Sequence, residues 1–226
     1  MREYLIVRLQ GVMQSWGGHT LEDFRSSEIF PTRSAVVGLL GACLGIERSD
    51  SKGLQSLSES FIYAARLDKT RDLKGHPITP RCITDFHTVM DARKVDGTVN
   101  KNPVITRREY LCDASYTLGL EFKAGAAYDC QAVIGALRQP KYTPVLGRRS
   151  CPLGRPMFER LVQAESIFKA LEKIQPGCGS LYSETDPGDA IPATVRDLPA
   201  FGLPGRQFAT RTIYILETQE ATDVHQ

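Results

Sequence analysis

The feature that most constrains the fold of this chain is a repeated order of strand, helix and strand, interrupted by a long segment without regular periodicity. Apolar β-prone runs predict the strands, and apolar residues at helical spacing predict the helices between them. The predicted elements are strands over 4–9, 61–67, 116–122 and 142–147 and helices within 31–45 and 128–137. This order predicts an α+β, ferredoxin-like (βαββαβ) domain, a topology that also serves in RNA recognition.

The first helix carries the clearest pattern in the sequence. Thr32 or Ser34 can cap its N-terminus, and Gly45 can end it in the left-handed conformation that closes many helices. Gly38 and Gly41 lie inside this helix, where each costs about 1 kcal/mol relative to alanine. Their presence predicts close packing of the helix on a sheet.

Three further regions complete the prediction. Residues 10–27 contain Gly17 and Gly18 and read as a loop, while about forty residues over 69–109 lack periodicity, which is typical of a functional insertion or a mobile segment. Residues 151–226 predict a helix over 166–174 and strands over 180–184, 193–197 and 208–217. We therefore expect a domain over 1–150 with an insertion, followed by a small β-rich region over 151–226.

Charge is distributed unevenly along a nearly neutral chain. The net charge is only +2, so the overall charge points to no particular partner. Between Arg66 and Arg108, however, ten Lys or Arg residues face five Asp residues, and residues 141–160 hold five basic residues and one Glu. Two such segments indicate local contacts with an anion, although a solvated surface is an equally good interpretation of either one alone.

The segment from Leu146 to Pro152 is the most informative candidate site. Gly147 allows a close backbone turn, Arg148 and Arg149 can each grip a phosphate or stack on a base, and Ser150 adds a hydroxyl. Lys141 and Tyr142, just upstream, offer another charge and a stacking ring. Single-stranded RNA is bound by this mixture of cations and aromatic rings. The alternative is an exposed basic turn after an edge strand.

Four other arginines are weaker candidates for RNA contacts. Arg107 and Arg108 close the insertion, although Glu109 can simply pair with a neighbouring arginine. Arg25 and Arg33 lie at or before the first helix, whose N-terminus attracts phosphate. Ordinary helix capping explains the surroundings of Arg33 equally well.

The sequence offers little support for catalysis, for a metal or for a cofactor. A metal-independent ribonuclease usually needs a histidine with a partner, and His19, His76, His87 and His225 have none at a recognisable spacing. The six cysteines are scattered without metal-site spacing. No apolar run approaches the roughly 18 residues of a membrane span, so we expect a cytoplasmic protein with no membrane contact.

Several segments, taken together, resemble a known family. They are residues 2–9 with MQSWG at 13–17, residues 30–34 with 38–46, residues 108–115, residues 142–144 with LGRRSCP at 146–152, and residues 206–209. In this order, and over nearly the whole chain, they are similar to the fifth family of CRISPR-associated repeat-associated mysterious proteins, in the form found in type I-E Cascade complexes.

The resemblance implies a ferredoxin-like domain with a thumb insertion and a small C-terminal β region. It also implies a subunit that holds the 5′ handle of the CRISPR RNA and contacts the large subunit and the first backbone subunit. The thumb, with Arg107 and Arg108, would touch the guide where handle meets spacer, and target DNA would be met through the assembled complex. Since another subunit cuts the precursor in this type, the chain would be non-catalytic.

Two other interpretations stay open. Relatives in type I-C cleave precursor RNA with a Tyr, Lys and His set, so a metal-independent endoribonuclease is the main alternative. A purely structural subunit, whose basic segments face protein partners, is the other.

Overall fold

The computed structural model of the chain describes residues 1–21, 23–94, 96–201 and 207–218. Its helices are α1 (Arg33–Leu44), α2 (Ser51–Ser60), α3 (Cys130–Arg138) and α4 (Ile167–Glu172). Its strands are β1 (Arg2–Gln10), β2 (Met13–Gln14), β3 (Trp16–Leu21), β4 (Phe24–Glu28), β5 (Phe61–Asp68), β6 (Thr70–Arg71), β7 (Pro77–Ile78), β8 (Arg81–Val89), β9 (Val104–Cys112), β10 (Ser115–Phe122), β11 (Phe158–Ala164), β12 (Gly179–Ser183), β13 (Ile191–Pro199) and β14 (Phe208–Thr218). The predicted α+β class is confirmed.

Seven strands form one main sheet, in the spatial order β11-β1-β10-β5-β12-β14-β13. All neighbouring pairs in it are antiparallel. Since β10 lies between β1 and β5, the two strands joined through α1 run parallel without pairing. Of these strands, β1 comes first along the chain, β5 second, β10 third and β11 fourth, so the spatial order β11-β1-β10-β5 is 4-1-3-2.

The two faces of the main sheet are covered by different helices. Leu5, Val7 and Leu9 of β1 pack in a core shared with α1 and α3, whereas Tyr4 and Ile6 pack with α4 in a second core. Because side chains alternate along a strand, burial of both sets requires cover on both faces. This explains why residues 4–7 of β1 are all apolar rather than alternating with polar ones.

The predicted fourth strand at 142–147 is wrong. Only an isolated bridge joins Val145 to Pro152 there, and the strand that pairs with β1 is β11. Pro144 has no N–H to donate to a ladder, and Gly147 takes a left-handed φ of 89° that ends an extended run. The first three strands, both helices of the pattern and the C-cap at Gly45 are confirmed.

The three strands predicted near the C-terminus are confirmed as β12, β13 and β14, and they extend the main sheet through the pairing of β12 with β5. The division at residue 150 stays a prediction. The sheet is nonetheless continuous across that position, because β11 pairs with β1. Residues 202–206 and 219–226, including Arg206 and His225, lie outside the described residues.

A second sheet projects from the first at the segment predicted to be irregular. It has the order β2-β9-β4-β3, with β8 also paired to β9. The predicted insertion is mainly the hairpin of β8 and β9, nine residues a strand, here called the thumb hairpin. The predicted loop over 10–27 is also wrong, since β2, β3 and β4 lie in it. Gly17 and Gly18 lie in β3, which takes its hydrogen-bonding partner from β4.

Cysteine accessibility offers a test of this arrangement. All six cysteines are free; Cys82 is exposed, while Cys43 is buried in α1. Burial raises the pKa of the Cys43 thiol to about 11, and the thiolate is the reactive form. With a maleimide near neutral pH we expect Cys82 to be labelled in the folded protein and Cys43 only after unfolding in urea. Peptide mass spectrometry measures both, and equal rates before unfolding would contradict the fold.

Candidate RNA-binding site

The site is built around the loop from Leu146 to Cys151, here called the glycine loop. Leu146 is fully buried, and its carbonyl accepts a hydrogen bond from Ser15 N at 3.0 Å. Within the loop, Leu146 N donates to Cys151 O at 2.8 Å and Cys151 N to Arg148 O at 2.9 Å. These bonds hold the loop rigidly against the segment that follows β1.

At Gly147 the backbone of the glycine loop lies directly against the backbone of Ser15. A Cβ at this position would lie 1.7 Å from Ser15 O, and the φ of +89° is one that side-chain-bearing residues rarely adopt. The predicted need for glycine is therefore confirmed, although the close neighbour is the protein's own backbone.

Arg148 is half-buried and largely engaged by the protein. Its guanidinium donates to Glu109 O at 2.9 Å and to Arg25 O at 3.0 Å, and it lies 4.8 Å from the centre of the Tyr110 ring. These contacts use two of the five N–H groups of a guanidinium. Arg148 thus ties the glycine loop to β9 and β4, while its charge stays at the site.

Arg149 and Ser150 are the residues of the glycine loop whose side chains are exposed. In the described part of the chain, Arg149 makes no hydrogen bond and no ion pair. The Ser150 hydroxyl lies 3.3 Å from that of Tyr110. Both residues can meet a ligand without giving up a strong internal contact.

The second sheet brings two further cations to this loop. Arg25 of β4 pairs laterally with Arg108 of β9, and residues paired in this way point to the same face. Residues 108 and 110 also share a face of β9, so Arg108 lies on the side of Tyr110 that meets the glycine loop. Arg108 keeps part of its donors occupied, since its Nε donates to Thr106 Oγ1 at 3.1 Å.

Arg107 lies on the opposite face of β9, so the predicted Arg107–Arg108 pair is divided. Its guanidinium is 5.6 Å from the Phe86 ring centre and 3.6 Å from an Asp23 carboxylate oxygen. Phe86 is 61% exposed. Arg107 therefore belongs to a separate, mixed aromatic and charged surface of the thumb hairpin.

Lys141 and Tyr142 are fixed by their backbone rather than by their side chains. Lys141 N donates to Cys43 O at 2.9 Å and Tyr142 N to Ala42 O at 3.0 Å, which satisfies carbonyls at the end of α1. Both side chains are exposed, so both stay candidate contacts.

The prediction that Arg33 binds RNA is wrong. Its side chain is 5% exposed, and the guanidinium donates to both carboxylate oxygens of Glu184, at 2.8 and 2.9 Å, and to the Phe61 carbonyl at 2.9 Å. Its backbone N–H donates to Asp197 at 2.7 Å. With these partners inside the protein, Arg33 offers neither charge nor free donors to a phosphate.

A hydrogen-bonded group at the glycine loop was missed at the sequence level. His87 Nε2 lies 2.7 Å from Asp85 Oδ2 and 3.3 Å from the Tyr110 hydroxyl. Residues 81–89 alternate in a way that places Ile83, Asp85 and His87 on one face of β8. That alternation was a usable signal, but it becomes informative only once β9 is known to pair beside it.

No group of three or more metal-ligating side chains occurs among the described residues. Within the same residues, no helix combines the length and apolar character that crossing a membrane requires. His76 contacts Asp72 in an exposed turn, away from the glycine loop.

The fold and the glycine loop define an α+β protein with a candidate nucleic-acid interface beside the end of β1. The chain belongs to the Cas5 family: the family model, described as CRISPR-associated protein (Cas_Cas5), matches residues 4–214. The resemblance read from the sequence is thereby confirmed.

Individual relatives agree with this assignment. The chain is 45% identical over 219 residues to the CRISPR system Cascade subunit CasD of Escherichia coli (strain K12), covering 96% of this chain and 97% of that one. A chain of a CRISPR RNA-guided surveillance complex matches its fold with a TM-score of 0.71 at 23% identity, covering 95% and 90% of the two chains. A crystal structure of a Cas protein matches with a TM-score of 0.65 at 26% identity, covering 96% and 95%.

Proposed function

We propose that this chain is the RNA-binding subunit of a type I-E CRISPR surveillance complex, where it caps the 5′ handle of the CRISPR RNA and helps the complex assemble. The relative at 45% identity carries the name of a Cascade subunit, which supports membership of such a complex. The observation that carries RNA binding is the exposed Arg149, which has no partner among the described residues and lies beside Arg148, Ser150 and the paired Arg25 and Arg108.

The proposal assigns different roles to the predicted residues. Arg149, Ser150, Arg108 and Arg25 contact the handle, whereas Arg148 chiefly holds the glycine loop in place. Lys141 and Tyr142 extend the contact along the strand of RNA. Arg107, together with Phe86, meets the guide where the handle joins the spacer, since both are exposed on the thumb hairpin.

We further infer that β1, β5, β10 and β11, with α1 and α3, form a ferredoxin-like unit. The support is their antiparallel order, which is that of a split βαβ arrangement, and the packing of both helices on one face. The thumb hairpin is its insertion, and β12–β14 are its C-terminal β extension. Under this proposal residues 158–164 belong with the first unit, beyond the division expected at residue 150.

The partners of the subunit follow from the same proposal. They are the handle RNA, the large subunit and the first backbone subunit, with target DNA reached through the assembled complex in the cytoplasm. The subunit needs neither a metal nor a cofactor, because guanidinium and hydroxyl groups alone can bind a ribonucleotide backbone.

We propose that the chain does not cleave RNA. Among the histidines whose side chains the structure describes, His87 alone lies at the site, where it contacts Asp85 and Tyr110. Incubating the purified protein with precursor repeat RNA in EDTA should leave the RNA intact. A single specific cut, lost in His87→Ala or Tyr142→Phe, would instead establish the metal-independent endoribonuclease.

The salt dependence of handle binding tests the RNA-binding proposal. For single strands, the slope of log affinity against log salt changes by about 0.7 for each phosphate neutralised. Replacing Arg149 with alanine should flatten the slope by about that amount and weaken binding. Arg148→Ala should also weaken binding, because the loop loses its ties to β9 and β4.

Lys169→Ala is the matched control for the salt experiment. It removes the same charge from α4, where Lys169 pairs with Glu172 at 2.8 Å, on the other face of the main sheet. Affinity and slope should then equal those of the wild type. If Arg149→Ala behaved like this control, the glycine loop would not be the RNA site.

A further inference from the structure

Four polar side chains form a continuous chain of contacts from the thumb hairpin to the glycine loop. Asp85 Oδ2 lies 2.7 Å from His87 Nε2, and His87 Nε2 lies 3.3 Å from the Tyr110 hydroxyl. That hydroxyl is in turn 3.3 Å from Ser150 Oγ. Tyr110 is 2% exposed, so among these groups Ser150 presents the hydroxyl that a ligand can reach.

We propose that Tyr110, supported by His87 and Asp85, is a positioning residue that orients the Ser150 hydroxyl as a hydrogen-bond donor to a backbone oxygen of the bound RNA. This inference rests on the proposed function. It assigns the Ser150 hydroxyl as a hydrogen-bond donor at that site and the Tyr110 hydroxyl as the group that orients it.

The direction of the hydrogen bonds follows from what each group can donate. A carboxylate oxygen accepts, so the short contact with Asp85 requires that His87 Nε2 carry a hydrogen. Because a protonated Nε2 cannot accept a hydrogen bond, the Tyr110 O–H does not donate to His87. The Tyr110 O–H is then free to donate to Ser150 Oγ. Once Ser150 accepts this bond, its own hydrogen is available to an acceptor outside the protein.

The ring of Tyr110 is held where this geometry requires it. The Arg148 guanidinium lies 4.8 Å from the ring centre and is itself anchored on Glu109 O and Arg25 O. The main internal competitor for the Ser150 hydrogen is Cys151 Sγ at 4.0 Å, and a cysteine sulfur is a weak acceptor. An external oxygen is therefore the better partner.

The positive charge around Ser150 indicates which kind of ligand oxygen accepts its hydrogen bond. Arg148 and Arg149 directly precede Ser150 in the sequence, and Arg25 and Arg108 lie beside the loop, so the site favours an anionic ligand. A ribonucleotide backbone offers two acceptors, a phosphate oxygen and the 2′-hydroxyl. Both accept a hydrogen bond from a serine, and the experiment below distinguishes them.

The test compares Ser150→Ala, Tyr110→Phe and the double variant for binding to handle RNA. One net hydrogen bond corresponds to about a twofold to tenfold change in affinity. Each single variant should weaken binding by this factor, and the double variant should weaken it no further, because both remove one interaction. The positioning role would be overturned if the affinity loss of the double variant equalled the product of the two single losses. It would also be overturned if Ser150→Ala weakened binding and Tyr110→Phe did not.

Chemically altered handle RNAs identify the acceptor. If it is a 2′-hydroxyl, one 2′-deoxy substitution should weaken binding to the wild type but leave Ser150→Ala and Tyr110→Phe unaffected. If it is a phosphate oxygen, one methylphosphonate linkage should do the same. Should every altered RNA affect the wild type and the variants alike, Ser150 donates to no backbone oxygen and the inference fails.

The controls separate this failure from failure of the proposed function. Tyr110→Phe keeps the ring under Arg148, and an unchanged thermal midpoint would confirm an intact fold. Tyr214→Phe, which alters a half-buried tyrosine of β14, should bind as the wild type does. Wild type that binds the handle no better than an unrelated RNA of equal length would overturn both proposals. Tight wild-type binding with no effect of Ser150→Ala would overturn only this one.

Discussion

Replacing Arg33 with alanine is expected to lower the free energy of unfolding by about 3–5 kcal/mol, the usual cost of removing one partner from a buried ion pair. Its side chain is 5% exposed and lies 2.8 Å from Glu184, whose side chain is 15% exposed. Arg211 completes the cluster through Glu184 at 3.1 Å and Asp197 at 2.6 Å.

The size of the effect comes from charge balance. Two guanidiniums, of Arg33 and Arg211, face two carboxylates, of Glu184 and Asp197. Without Arg33 the two buried carboxylates share one cation, and the Phe61 carbonyl loses the bond at 2.9 Å that it accepts. Because Glu184 follows β12 and Asp197 lies in β13, the loss also loosens the C-terminal strands from α1.

Urea unfolding measures this prediction, and Lys169→Ala again serves as control. The pair of Lys169 with Glu172 is 2.8 Å long but exposed, so its loss should cost no more than about 1 kcal/mol. Combining Arg33→Met with Glu184→Gln should recover part of the stability lost in Arg33→Met alone, since a charge of each sign is removed. Equal effects of Arg33→Ala and Lys169→Ala would show that the cluster is not buried as described.

The cluster around Arg33 also illustrates what the sequence could not supply. Its carboxylate partners lie 151 and 164 residues further along the chain, and local pattern contains no information about such distances. The motif around Thr32 therefore predicted a helix correctly, while the role given to Arg33 was wrong. A helix start can be read from neighbours, whereas the burial of one arginine depends on the tertiary fold.

Strands were predictable where both faces are buried or one clear alternation exists. β1, β5 and β10 are apolar runs at the centre of the sheet, and they were found. β11 was missed because Glu159 and Arg160 interrupt its apolar residues, although Val162 and Ala164 are buried. β8 was missed because every residue in it except His87 is exposed, so it carries a weak hydrophobic pattern. β9 was missed because Arg107, Arg108 and Glu109 interrupt its apolar residues, although Tyr110 and Leu111 are buried.

The candidate site was predictable only where its properties depend on residues adjacent in the sequence. A glycine followed by two arginines and a serine predicted a tight basic loop from local chemistry, and the tightness is confirmed by the approach of Gly147 to Ser15. The unequal roles of Arg148 and Arg149 depend on β9 and β4, which are remote in sequence. The function of Tyr110 likewise depends on contacts with His87 and Ser150 that only the fold creates.

Gly147→Ala is expected to destabilise the protein by about 2–5 kcal/mol. A left-handed conformation costs roughly 1–2 kcal/mol for a residue with a Cβ, and overpacking typically adds about 1–3 kcal/mol. Here the new Cβ would lie 1.7 Å from Ser15 O, a backbone atom that cannot rotate away. The loop must therefore move, which breaks the bond between Ser15 N and Leu146 O.

Gly75→Ala separates the two contributions, because Gly75 has a similar φ of +84° and nothing within 4 Å of the position of its Cβ. It should cost only the conformational part, about 1–2 kcal/mol. Urea unfolding compares the two variants, and handle binding gives a second measure of Gly147→Ala, whose loss of affinity should be at least that of Arg149→Ala. If both glycine variants were equally stable, the glycine loop would not be docked on Ser15. The cations would then lack the rigid support that lets them hold an RNA end, because a mobile arginine loses more conformational entropy on binding than one already fixed.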